Sequence, residues 1–261
     1  GDNRRGQLGL GATTPNPMLP GPDVMGMADA LEISSGSDRT CARLASGSVK
    51  CWGASFNATV QPAHSAPMPV SGLANVASLP RGMGSQACAV LQDGNVRCWG
   101  FDLTGSSPQE LAYQAEPPVK GIGTAVGVGA GYFHTCALLA GGSVVCWESS
   151  NYPSPLGRGD AVTQERQGSA VPVGVALRGP AVALSVGSTV NCALLAGGTV
   201  QCWGMASATG NATGSTIPAP VDGIFNAVVV SSGGQSACAL LADGQLRCWG
   251  GNSFAEVGNG T

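Results

Sequence analysis

The sequence predicts an all-β protein: a β-propeller of four-stranded antiparallel blades, with five repeats visible in 261 residues. Three observations lead there. One thirteen-residue phrase recurs five times, each copy reads as a β-hairpin, and two further strand-like segments stand before every copy.

The phrase reads CARLASGSVKCWG from Cys41, CAVLQDGNVRCWG from Cys88, CALLAGGSVVCWE from Cys136, CALLAGGTVQCWG from Cys192 and CALLADGQLRCWG from Cys238. Successive first cysteines lie 47, 48, 56 and 46 residues apart, and all ten cysteines and all five tryptophans of the chain fall inside the phrase. Every copy keeps Leu at its fourth position and Gly at its seventh. Two apolar segments flank a turn of the type Ala-Asp-Gly or Ala-Gly-Gly, and the fixed Gly suits the left-handed position of a three-residue hairpin loop with a bulge.

With the turn centred near the fifth or sixth residue, the two cysteines of a copy fall opposite each other. Directly opposed residues of a non-hydrogen-bonded antiparallel pair sit about 4.5 Å apart at Cα, just inside the range of a cystine. One cystine per hairpin is therefore expected, Cys41 with Cys51, Cys88 with Cys98, Cys136 with Cys146, Cys192 with Cys202 and Cys238 with Cys248, reduced packing cysteines being the alternative. Each would close a small loop and contribute ~2–3 kcal/mol. Ten cysteines with no CxxC, in a chain with two histidines, make a poor zinc framework, so no metal is expected. Paired cysteines point to an oxidising compartment: extracellular, periplasmic or cell-surface. A Trp beside each cystine reads as core or inter-blade packing.

The segment before each hairpin is apolar and ends in small residues: 30–36, 75–82, 124–131, 181–187 and 226–233. Such a strand suits the crowded inner wall of a ring. Before it stands a segment with Pro, at 18–24, 66–73, 116–122, 169–177 and 217–224. Pro belongs on an edge strand, where its missing N–H is not needed. The repeats run approximately 18–65, 66–115, 116–168, 169–216 and 217–261, as a single propeller domain or part of one.

Charged residues make up 10% of the chain and the net charge is −3, so no basic field attracts nucleic acid. No apolar run approaches the ~18 residues of a membrane span, and no membrane insertion is expected. The start GDNRRGQLGLG is no signal peptide and no initiator Met is present, which reads as a processed form or an excised piece.

No catalytic constellation emerges. Asp93 and Asp243 sit in hairpin turns, where Asp bonds the local backbone. The remaining carboxylates fall at different phases of the repeat. There is no G-x-S-x-G, P-loop or H-E-x-x-H. His134 reads as a structural hydrogen-bonder and His64 as a residue of the loop QPAHSAP. No cofactor is expected, and the chain is not expected to be an enzyme. Variation concentrates instead after each Trp, while the hairpins stay nearly constant. A uniform scaffold with divergent loops on one face is how repeat proteins build binding surfaces. Tyr113, Tyr152, Arg158 and Arg166 lie in those loops and are of the types that favour interface hot spots.

The stretches GQLGLG at 6–11, VGNG at 257–260 and GYFHTCALLAGGSVVCW at 131–147 resemble the repeats of the regulator of chromosome condensation family, in its bacterial, secreted Cys-Trp form. The resemblance covers essentially the whole chain. It implies a propeller, usually of seven blades, whose top or bottom face binds other proteins. It includes a propeller-type β-lactamase inhibitor, which makes enzyme inhibition a special case. It also includes the family's eponymous activity, nucleotide exchange on a small GTPase. Only His134 keeps the family histidine; Arg39, Gln86, Val190 and Ser236 take its place elsewhere, and the linker after Trp147 is enlarged. Both ends stop at the same phase, so the chain reads as part of a longer array, a complete small ring being the alternative. The functional expectation is a non-enzymatic secreted or envelope scaffold that binds an unidentified protein. An exchange-factor-like regulator and a structural repeat region of a larger surface protein are the rivals.

Overall fold

A computed structural model describes residues 3–14, 23–36, 39–54, 64–84, 86–100, 115–132, 134–148, 156–157, 171–204 and 215–260, in two compact units, Gly1–Val119 and Lys120–Thr261. The described residues contain strands and turns and no helix.

In the first unit, β1 (Ala30–Gly36), β2 (Arg39–Leu44), β3 (Val49–Gly53) and β4 (His64–Pro69) form one sheet in that order. A second sheet holds β5 (Val76–Ser78), β6 (Gln86–Leu91) and β7 (Val96–Gly100). In the second unit, the third sheet is β8 (Ala125–Ala130), β9 (His134–Leu139), β10 (Val144–Glu148) and β11 (Val173–Gly174). The fourth is β12 (Ala181–Val186), β13 (Val190–Leu195), β14 (Val200–Gly204) and β15 (Ser215–Pro220). The fifth is β16 (Ala227–Ser232), β17 (Ser236–Leu241) and β18 (Leu246–Gly250). All pairings are antiparallel.

The recurrent phrase is the central hairpin of every sheet, and its turn chemistry sets the register. Gly47, Gly94, Gly142, Gly198 and Gly244 stand third in the loop with φ of 76°, 78°, 80°, 78° and 84°. A Cβ is strained in that region, which explains why the seventh position never varies. The register then opposes Cys41 to Cys51, and likewise the other four pairs. All five are cystines, with Cα atoms 3.9–4.1 Å apart.

The proline-bearing segment joins the sheet of the hairpin before it, so sheet and sequence repeat are offset by one strand. β4 pairs with β3, β11 with β10 and β15 with β14. Two sheets have three strands instead of four. After β7, Glu116 N donates to the Cys98 carbonyl and Val119 N to the Val96 carbonyl, both at 2.8 Å. Between them stand Pro117 and Pro118, which have no N–H to give, so the segment docks on the edge without a regular ladder. The fifth sheet has no fourth strand among the described residues.

Alternation sends the cysteines to one face of each sheet and the tryptophan to the other. Where neighbouring sheets of a unit meet, a cysteine face packs on a tryptophan face. Cys41, Val49 and Cys51 lie on Ala87, Ala89 and Trp99. Cys136, Leu138, Val144 and Cys146 lie on Ala193, Leu195 and Trp203. Val190, Cys192, Leu194, Val200 and Cys202 lie on Ala237, Ala239, Leu241 and Trp249. Trp52, Trp99, Trp147 and Trp203 are buried as the packing reading requires, and Trp249 is half-buried.

Short polar links stitch the neighbours together. Glu32 accepts from Arg43 Nε within its own sheet and from Leu79 N of the next, each at 3.0 Å. Ser232 N donates to Ser185 Oγ at 2.8 Å. At Gly187 a Cβ would overlap the Gly233 carbonyl, so the inner strand must end in glycine where the two backbones close up.

Two loops outside the sheets share one conformation. In residues 3–11, Asn3 Oδ1 accepts from Leu8 N at 3.0 Å, and Gly6, Gly9 and Gly11 have φ of 74°, 68° and 79°. In residues 252–260, Asn252 Oδ1 accepts from Val257 N at 3.1 Å, and Ala255, Gly258 and Gly260 have φ of 61°, 65° and 80°. The first loop is seated: Trp52 Nε1 donates to the Gln7 carbonyl at 2.9 Å, and Gly11 N donates to the Ser65 carbonyl at 2.8 Å.

Candidate functional site

The register decides which end of each sheet is variable. At one end lie the constant hairpin turns. At the other, the strand that carries Cys-Trp finishes opposite the start of its hairpin partner: Gly53 on Arg39, Gly100 on Gln86, Glu148 on His134, Gly204 on Val190 and Gly250 on Ser236. Every post-Trp loop therefore leaves from the same end of its sheet, the end that holds the family-histidine position. The stems of the divergent segments thus stand at one end of each sheet.

The four residues singled out from sequence, Tyr113, Tyr152, Arg158 and Arg166, fall outside the described residues. What the structure gives is the stems on which their loops stand. It adds one aromatic that sequence reasoning passed over: Tyr132, in the turn between β8 and β9, is about half exposed at the same end of the third sheet. Its place in the phrase GYFHTC, two residues before the histidine, was the available signal.

His134 is a fastener of the fold. It is buried, and its Nε2–H donates to Asn191 Oδ1 of the fourth sheet at 2.6 Å. Burial holds its pKa below the ordinary value, with the Asn191 hydrogen bond opposing. That bond, to a residue of the neighbouring sheet, ties β9 to β13. His64, read from sequence as a loop residue, is the first residue of β4, half-buried and opposite Gly53.

Asp93 behaves as a turn residue. Its carboxylate accepts from Asn95 N at 3.0 Å and from Asn95 Nδ2 at 2.8 Å. The Asn95 backbone bond, followed by the side-chain bond, holds its pKa below the usual carboxylate value. Asp243 accepts from Gln245 N in the same way, at 3.0 Å. Among the described residues, no three His, Cys, Asp or Glu side chains are grouped to hold a metal ion. No helix among them is long and apolar enough to cross a membrane.

Three stretches, residues 31–57, 125–147 and 227–256, match the model of the Regulator of chromosome condensation (RCC1) repeat. The likeness is to the repeat of that family, in those three stretches. Each matched stretch holds both cysteines of one hairpin described above. No curated protein sequence matches the chain.

Among solved structures, Prp20p of Saccharomyces cerevisiae superposes with a TM-score of 0.75 at 17% identity, over 89% of this chain and 60% of that one. Human WBSCR16 gives 0.71 at 20% identity, over 89% and 64%. The CRINKLY WD40 ectodomain of the Arabidopsis thaliana receptor kinase ACR4 gives 0.52 at 21%, over 87% and 66%. At these identities the likeness is one of fold: five antiparallel sheets similar to the blades of RCC1 β-propellers. The chain spans less than two thirds of the length of each.

Proposed function

We propose that this chain is a non-enzymatic protein-binding scaffold, exported or held at the cell envelope, that recognises a partner protein through its post-Trp loops. The observation that carries the reading is the common exit of those loops: a cystine hairpin under each, with the most divergent segments leaving from one end of the sheets. Fixed stems with freely varying loops let a surface be retuned without unfolding its support. The relatives agree in kind. The yeast structure is described by its binding to Gsp1p and histones, and a second structure of that protein is bound to Kap60. Five cystines suit an oxidising compartment, and the ACR4 relative is itself an ectodomain. An exchange factor working in a reducing nucleus would gain little from ten paired cysteines, and a net charge of −3 does not favour chromatin. Inhibition of an enzyme is one form this binding takes.

The test is a loop exchange. Residues 101–114 and 149–170 are replaced, separately, by Gly-Ser linkers, and proteins cross-linked to the natural chain in its host are identified and quantified. One partner should lose at least about tenfold in recovery with a replaced loop, and with Tyr113→Ala, Tyr152→Ala, Arg158→Ala or Arg166→Ala within it. A partner recovered equally with both loops replaced would refute the reading.

A further inference from the structure

Loop 3–11 is seated by close contacts at its left-handed glycines, and one of those contacts is an oxidisable sulfur. A Cβ at Gly6 would lie 2.5 Å from Ser65 Cα, and one at Gly9 would lie 2.8 Å from Val24 Cγ1 and 2.9 Å from Trp52 Nε1. The third contact differs in kind. A Cβ at Gly11 would lie 2.9 Å from Met25 Sδ and 3.5 Å from its Cε. The main chain of Met25 holds the same loop, its N donating to the Gly9 carbonyl at 3.1 Å. Met25 thus ties the loop by a hydrogen bond before residue 10 and by its thioether after it.

The sulfur stands within reach of solvent. Met25 is 57% exposed, against 5% for Met83 in the core of the same unit. That exposure belongs to the position. Ser71, Lys120, Ala176 and Asp222 follow the valine of the same segment in the other repeats, and all four are exposed. Ala176 even repeats the loop contact, donating to the Gly157 carbonyl at 3.2 Å, with the third and fourth sheets packed together beside it. The first repeat alone places a thioether there.

We propose that Met25 is a site of reversible oxidation by peroxide, and that its oxidation loosens loop 3–11 and with it the cover of the Trp52 indole. The Sδ lone pair attacks one oxygen of hydrogen peroxide. The O–O bond breaks as the S–O bond forms, and the departing hydroxide takes up a proton and leaves as water. Sulfur gives up two electrons and the peroxide takes them. The sulfoxide carries one more heavy atom and a strong dipole. Against Gly11 the added atom has no space, and toward water the dipole draws the group outward, so the thioether contact is lost either way. The loop keeps its backbone bonds at Gly9 and Gly11, but the bond from Trp52 Nε1 to the Gln7 carbonyl opens more often. A methionine sulfoxide reductase restores the contact. The export reading above supplies only a compartment where peroxide is met; the latch stands without it.

The test compares the natural chain with Met25→Leu, which keeps the bulk without the sulfur. Intact mass after thiol alkylation confirms the cystines, and Met25→Ser, the residue type at position 71, stands in if Met25→Leu fails to form them. Both chains are treated with hydrogen peroxide, and peptide mass mapping locates the added oxygen. Met25 should oxidise at least about tenfold faster than the buried Met83. Hydrogen exchange at the Trp52 indole, followed by NMR, should then quicken at least about threefold in the oxidised natural chain. It should return to its first rate after reductase treatment and stay unchanged in treated Met25→Leu. Exchange indifferent to the Met25 sulfoxide would overturn the proposal. So would equal quickening in Met25→Leu, which assigns the effect to another methionine, or oxidation of Met25 no faster than that of Met83.

Discussion

The fourth and fifth sheets are built on nearly the same words, CALLAGGTVQCWG and CALLADGQLRCWG, and they differ in what lies beside them. Their hairpins share one register, one cystine position and one left-handed glycine. Yet every residue of β13 is buried, while β17 alternates between buried and half-buried, and Val200 at 0% corresponds to Leu246 at 71%. Local sequence determines the hairpin; the adjoining sheet determines how much stability that hairpin contributes. The two sheets thus separate chain-local energetics from contact energetics within one molecule.

The largest expected contrast follows from that separation. Val200→Asp places a carboxylate in the closed interface and should cost about 3–5 kcal/mol, or abolish folding. Leu246→Asp, the same chemistry at the same register, should change stability by no more than about 0.5 kcal/mol. Urea denaturation followed by tryptophan fluorescence measures both. Similar costs at the two positions would mean that the fifth sheet is covered in solution.

A smaller effect distinguishes sheets that have a partner across the histidine position from those that do not. The pKa of His134 is lowered by burial, so the folded chain resists protonation where the unfolded chain accepts it. Its contribution is complete above the ordinary value of 6.5 and is lost as pH falls from there through the lowered folded value. The slope should reach at most about 1.4 kcal/mol per pH unit. His134→Gln keeps a donor for Asn191 without a titrating ring. Denaturation series at several pH values should show the slope in the natural chain and its absence in that variant.

The smallest contrast lies in the turns. Gly244→Ala should cost about 1 kcal/mol, the strain of a Cβ at positive φ alone. Gly198→Ala carries the same strain, and its Cβ also meets the Phe225 carbonyl at 2.9 Å, which raises the expected cost to about 2 kcal/mol. Thermal unfolding of the two variants side by side reads the difference. Equal costs would show that the turn of the fifth sheet gives way as readily as that of the fourth.

These contrasts mark what the sequence discloses. The hairpin register, the glycine turn and the cystines are local, repeat five times, and were legible from spacing. So was the inner strand at 30–36, which forms with those bounds. The missing ladder at Pro117 and Pro118 was legible in principle, since two adjacent prolines delete two donors, but the family pattern of one proline strand per repeat masked it. Links such as His134 to Asn191, 57 residues apart, carry no periodic signal at all. Neither does burial, because Leu246 and Val200 differ only through their neighbours. For the candidate site, sequence located the variable loops, and structure supplied the end of each sheet from which their stems leave.

The offset between sheet and repeat has an evolutionary consequence. In the first, third and fourth sheets the outer strand returns to the hairpin just left, so the post-Trp segment there begins and ends on the same ladder: β10 pairs with β9 on one side and β11 on the other. Residues added between those anchor points lengthen an excursion without altering the pairing that frames it, and the closure cost grows only slowly with length. The long step of 56 residues between the third and fourth hairpins records such an addition, with Cys146 still opposite Val173. A gene for this architecture can gain or lose codons there in small steps, and each intermediate protein keeps its frame.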